Sequence, residues 1–109
     1  MSVTLEAFMG GGRLHSPLSS NLTLKAGWPR LHTLDPDAAG REVILPDART
    51  LRLGGPQFIL LNIDGAHSIA VKDGSGAALV TLAAQEGVIL GASKVDTIAG
   101  KWGVHKRSL

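Results

Sequence analysis

The side chains in this sequence best suited to chemistry are four histidines and a pair of neighbouring aspartates. His15, His32, His67 and His105 could ligate a transition metal or move protons. No two of them are spaced like the zinc-binding histidines of one loop or one helical turn. His67 follows an Asp-Gly turn and reads as an exposed turn residue. Asp35 and Asp37 flank Pro36, and two loop carboxylates this close can bind Ca²⁺. They can equally accept backbone N–H bonds and cap a turn. No third acid stands nearby, so capping is the expected role, and Asp47 after Pro46 reads the same way.

The loop motifs of catalysis are absent. Gly100-Lys101 is followed by Trp102, and position 95 is valine, so no phosphate-binding Walker loop is formed. Gly74-Ser75-Gly76 runs into Ala77-Ala78-Leu79 and reads as a turn. Gly91-Ala92-Ser93 lacks the second glycine of a nucleophile elbow. There is no cysteine, hence no thiol nucleophile, thiolate metal site or disulfide. The expectation is a protein that is not an enzyme and uses no cofactor or metal. Trp28 and Trp102 remain as possible binding anchors. Trp102 reads more simply as a lid over the core.

The elements that would position these residues are strands. From Leu31 onward, short apolar runs alternate with turn signals, the spacing of a sandwich or barrel. The pattern predicts strands over 31–34, 42–45, 50–53, 57–63, 68–72, 77–82, 87–91 and 101–104. Hairpin turns are expected at Asn62-Ile63-Asp64-Gly65 and at Asp73-Gly74-Ser75-Gly76, the Asp-Gly pairs suiting a type I′ turn. Ile69 and Val71 should face one side and Ala70 and Lys72 the other. Phe58 to Ile63 is almost continuously apolar, which predicts a central strand covered on both faces. Residues 1–30 differ: Gly10-Gly11-Gly12, Ser16-Pro17 and Trp28-Pro29 discourage a helix, while Leu14, Leu18, Leu22 and Leu24 are spaced through the segment. They read as an extended N-terminal arm preceding a β-domain at 31–109. The expected fold is all-β: a compact antiparallel β-sandwich or barrel with that arm.

A chain of 109 residues supports one core. Fourteen glycines, 4% aromatic and 18% charged residues exclude a coiled coil, a collagen-like chain and a disulfide scaffold. The pI is about 9.4, but the net charge is only +2, and the one dense basic run, Lys101 to Arg107, reads as a solvated tail. No nucleic-acid partner is expected. The longest apolar run, Phe58 to Leu61, is far too short to cross a membrane, and the first residues lack the pattern of a signal peptide. Asn21-Leu22-Thr23 therefore carries no weight as a glycosylation site.

Three stretches carry a resemblance. They are Leu34-Asp35-Pro36 with Val43-Ile44-Leu45-Pro46-Asp47-Ala48, Leu53-Gly54-Gly55-Pro56-Gln57-Phe58-Ile59 leading to Asn62, and Ile69 to Gly76 with Gly100-Lys101-Trp102. This succession resembles small β-rich virion proteins of tailed bacteriophages: capsid decoration (cement) proteins, head fibres and tail-fibre domains. The resemblance spans about Leu34 to Trp102. It implies a non-enzymatic structural protein, usually trimeric, that binds the major capsid protein on the capsid exterior after assembly in the host cytoplasm. Arm residues Arg13, Leu14, Leu18 and Trp28 are then the expected interface. Two other classes compete. A glycan-binding β-module would want more exposed aromatics than two Trp and two Phe. A cupin-like enzyme would want clustered histidines.

Overall fold

The computed structural model describes the backbone of residues 13–53 and 57–109, with side chains from residue 17 onward. Among the described residues, nine strands form two sheets: β1 (Arg13–Leu18), β2 (Leu22–Thr23), β3 (Leu31–Pro36), β4 (Arg41–Ile44), β5 (Phe58–Asn62), β6 (Ile69–Lys72), β7 (Ala78–Leu82), β8 (Glu86–Lys94) and β9 (Lys101–Ser108). One sheet has the order β1-β3-β5-β8-β9, the other β2-β4-β6-β7. The all-β expectation holds, and of its two forms, sandwich or barrel, the closed barrel is not seen: the strands lie in two sheets.

The pairing is where the fold departs from the antiparallel expectation. From β1 to β6 the chain steps alternately between the sheets, so strands that meet in one sheet are one full turn apart and run the same way. β1, β3 and β5 are mutually parallel neighbours, as are β2, β4 and β6. Parallel neighbours need a long return path, and here each return path is itself a strand of the opposite sheet. Only β7, β8 and β9 add antiparallel pairs. The first part of the chain is therefore a flattened coil of three turns, finished by antiparallel strands.

Residues expected in an arm belong to this coil. Arg13 to Leu18 pair in register with Leu31 to Pro36, and Leu22-Thr23 with Val43-Ile44. Pro17 causes no conflict, because β1 is an edge strand where a missing N–H is tolerated. Residues 1–12, including the triple glycine, lie outside the described residues, as do 54–56.

The core lies between the sheets. Leu34, Leu60 and Leu90 from one sheet and Val43, Ile69, Val71 and Leu82 from the other are fully buried, with Leu24 and Leu45 closing the turns. Burying each such side chain contributes about 1.5–3 kcal/mol. β6 alternates as expected, Ile69 and Val71 inward, Ala70 and Lys72 half-exposed. The expected strand at 50–53 does not form: a single 3₁₀ turn (Ala48–Thr50) stands there, and Leu53 is exposed. The Asp47 carboxylate accepts the Arg49 N–H at its start, the expected capping role.

The two Asp-Gly turns diverge. Asp73 to Gly76 does join an antiparallel pair, β6 and β7. Its left-handed residue is Gly76 at φ +92°, however, and the Asp73 side chain closes the loop by accepting from Ser75 N–H, Ser75 O–H and Ala77 N–H. Asp64-Gly65 is no hairpin, because β5 and β6 lie in different sheets. It is a crossing turn in which Asp64 accepts from the N–H groups of Ala66 and His67.

Candidate functional site

Two features could do work on a partner or ligand: a row of rings inside the molecule and the outer face of the five-stranded sheet.

The row begins with Trp28, after the β2 strand, and continues through His32 on β3, Phe58 on β5 and Trp102 on β9. Ring centroids are 6.2, 5.9 and 6.5 Å apart in that order. Parallel pairing of β3 with β5 brings His32 and Phe58 side by side on the inner face. His32 has no solvent exposure, and neither ring nitrogen has a hydrogen-bond partner among the described residues. Burial lowers its pKa below the usual histidine value, and the Pro29 carbonyl opposes this without supplying a closed hydrogen bond. The imidazole thus lies among aromatic rings, where burial disfavours its charged form. Lys25 Nζ stands over the Trp28 ring, 6.0 Å from its centroid. Trp102 donates Nε1–H to the Ala99 carbonyl and covers the core edge, the lid role expected of it.

The outer faces of the two sheets differ in chemistry. On the four-stranded sheet, Lys72 Nζ meets Glu42 Oε2 at 2.7 Å across β4 and β6, an ion pair beside Ile44 and Ala70. On the five-stranded sheet, alternation turns Val88, Leu90 and Ala92 inward and Gly87, Ile89 and Gly91 outward. Ile59 on β5 stands opposite Ile89 on β8, which stands opposite His105 on β9; Leu61, Gly87 and Arg107 form the next row. Together with Leu109 they line a groove of about 210 Å³. Gly87 is its floor: a Cβ there would meet Leu61 Cδ2 at 2.8 Å and Leu109 Cδ2 at 3.1 Å. Ile89 and Leu109 are 41% and 58% exposed. The expectation that Phe58 to Ile63 is covered on both faces is met on the inner face alone; β5 is central, but its outer side opens onto this groove.

The expected interface residues are distributed as follows. Leu18 is buried in the core at 2% exposure. Trp28 is half-buried against the same core and against His32. Both side chains pack inside the domain. Arg13 and Leu14 stand on the β1 edge opposite Leu31 and His32, and their side chains lie outside the described residues. Asp37 binds Arg41 at 2.8 Å. His67 Nδ1 lies 3.0 Å from Asp64 Oδ2. The N–H groups of His67 and Ala66 hold the Asp64 carboxyl below its usual range. Burial pushes Asp73 up, but hydrogen bonds from Ser75, Ala77 and Gly76 outweigh it and carry the group below its usual range. Among the described residues no three histidine or acidic side chains converge as a metal cage, and no helix is long and apolar enough to cross a membrane.

The groove was missed at the level of sequence because its walls come from three separated segments. Ile59 and Leu61 are as apolar as Phe58 and Leu60, so residue type along β5 does not tell the open face from the covered one. No known protein family, curated protein or solved structure matches the chain.

Proposed function

We propose that this chain is a non-enzymatic structural virion protein, a capsid decoration protein that self-associates, as a trimer, and binds the major capsid protein on the shell exterior. The observation that carries the reading is the open apolar groove of Ile59, Leu61, Ile89 and Leu109 beside the cationic strand β9. A small domain with an uncovered aliphatic stripe on one sheet gains stability by covering it against another protein surface. The opposite outer face carries the Lys72–Glu42 ion pair, which suits contact with solvent there.

The experiment is the sedimentation mass of the purified chain, alone and with capsid-like particles lacking it. A trimer that co-sediments with shells is the expected result. A monomer that ignores shells overturns the reading.

The coil of parallel turns favours a second reading, a tail-fibre domain, because stacked turns of this kind can lengthen into a shaft. Labelling of tails rather than shells in electron micrographs of virions would select it. A glycan-binding module has less support, since the four large aromatic side chains include Phe58 in the core and both tryptophans half-buried.

A further inference from the structure

The five-stranded sheet ends at β9, whose eight residues pair with β8 on one side and with no strand on the other among the described residues. An open edge of this length presents a row of backbone donors and acceptors ready to take another strand. Its side chains sort by face. Trp102, Val104 and Lys106 stand opposite Ala92, Leu90 and Val88 and so lie on the inner side; Gly103, His105 and Arg107 stand opposite Gly91, Ile89 and Gly87 and lie on the outer side. Alternation places Lys101 with the outer set. Lys106 is engaged, 3.5 Å from Glu86 and donating to the Thr81 carbonyl. Among the described residues no carboxylate lies within ion-pair distance of Lys101, His105 or Arg107. On the inner side, Val104 stays 39% exposed beside the half-buried Trp102.

We infer that β9 is a docking edge for an extended segment of a partner protein in which acidic and apolar side chains alternate. An added strand has the same period of two. Its outward residues would lie beside Lys101, His105 and Arg107 and gain from carboxylates. Its inward residues would lie beside Trp102 and Val104 and gain from being apolar. Cross-strand pairs of both kinds stabilise a sheet, and like charges oppose it. A second copy of β9 is the wrong occupant: it would bring Lys101, Lys106 and Arg107 of both copies along one seam. Lysines on an open edge are a common protection against such self-pairing. The inference goes beyond the decoration reading, since it fixes the chemistry of the bound strand whatever larger body carries it.

The test uses the full chain and a synthetic peptide of alternating glutamate and valine, matched in length to β9, with a lysine–valine peptide as control. Hydrogen exchange should slow at alternate amides of residues 101–108 when the acidic peptide is added. Its affinity should exceed that of the lysine peptide by about tenfold, the sum of a few cross-strand charge pairs. In the double variant Lys101→Glu, Arg107→Glu, at exposed positions, the preference should reverse; circular dichroism checks that the variant is folded. Methylating the peptide's alternate backbone nitrogens on the pairing side should abolish protection. Equal affinity for both peptides, protection elsewhere than β9, or absence of protection with either peptide overturns the inference. So does slowing at β9 that grows with protein concentration and no peptide, which would assign the edge to a second copy. None of these outcomes depends on the presence of a shell.

Discussion

Asn62 and His32 are both polar, both without solvent exposure, and both carried by the central strands of the same sheet, yet their surroundings are opposite. Asn62 ends β5 where the chain crosses to the other sheet. Its Nδ2 donates to the carbonyls of His67, Leu82 and Ala83, and its Oδ1 accepts the Asp64 N–H. His32 sits mid-strand between Trp28 and Phe58 with both nitrogens unpartnered among the described residues. A buried polar group that completes its hydrogen bonds fixes the chain around it, whereas one that does not is a standing cost. The coil is thus locked at its crossing turn and under-satisfied within its ring row.

The largest effect follows from breaking the lock. Asn62→Leu keeps the side-chain volume but strands the backbone groups that the amide serves. It should destabilise the domain by about 3 kcal/mol, since each buried group left unpaired costs about 1–3 kcal/mol and some here regain water. Urea unfolding measures it. A loss below about 1 kcal/mol would mean that the turn holds without the amide and that the contrast with His32 is false.

Next in size is the acid response of His32. Its folded pKa lies below the unfolded value near 6.5, so the unfolded chain takes the proton first as pH falls. Stability from this group is complete above the unfolded pKa and is lost as pH drops below it, by at most about 1.4 kcal/mol per pH unit until the folded ring also protonates. His32→Leu should remove this part of the acid slope while leaving stability at neutral pH equal or higher, because an apolar side chain suits the site. Unfolding curves at stepped pH values from neutral to mildly acidic compare the two. An unchanged slope in the variant would show that the ring does not resist protonation.

Much of this arrangement was legible from residue order, and the exceptions have physical causes. The Asp73 turn and the alternation of Ile69 and Val71 were readable because they are local. The direction of β1 to β6 was not: period two tells which face a side chain takes, but it is silent on which way the neighbouring strand runs. The Thr50-Leu51-Arg52-Leu53 run alternates like a strand yet pairs with no strand among the described residues. β1 was hidden by its proline, which an edge strand accepts. Lys101 to Arg107 read as a solvated tail because its apolar neighbours Ile59, Leu61 and Ile89 are brought in only by the sheet. Leu18 and Trp28, expected at an interface with a partner, pack against the core of their own chain, which the residue order alone does not reveal.

The smallest predicted effect sharpens the comparison at its satisfied end. His67 joins the Asn62-centred turn twice over: its carbonyl accepts from Asn62, and its N–H donates to Asp64, with the ring beside the same carboxylate. Only the ring contact involves its side chain. That contact is half-exposed, and Asp64 keeps the N–H groups of Ala66 and His67 without it. Exposed pairs of this kind contribute about 0–1 kcal/mol. His67→Gln should therefore shift the thermal midpoint little, by an amount equivalent to about 0.5 kcal/mol or less. It should also leave unchanged the exchange protection of the Asp64 N–H, which Asn62 holds from the other side. A loss approaching that of Asn62→Leu would place the imidazole inside the same cooperative network, so that backbone groups alone would no longer account for the lock.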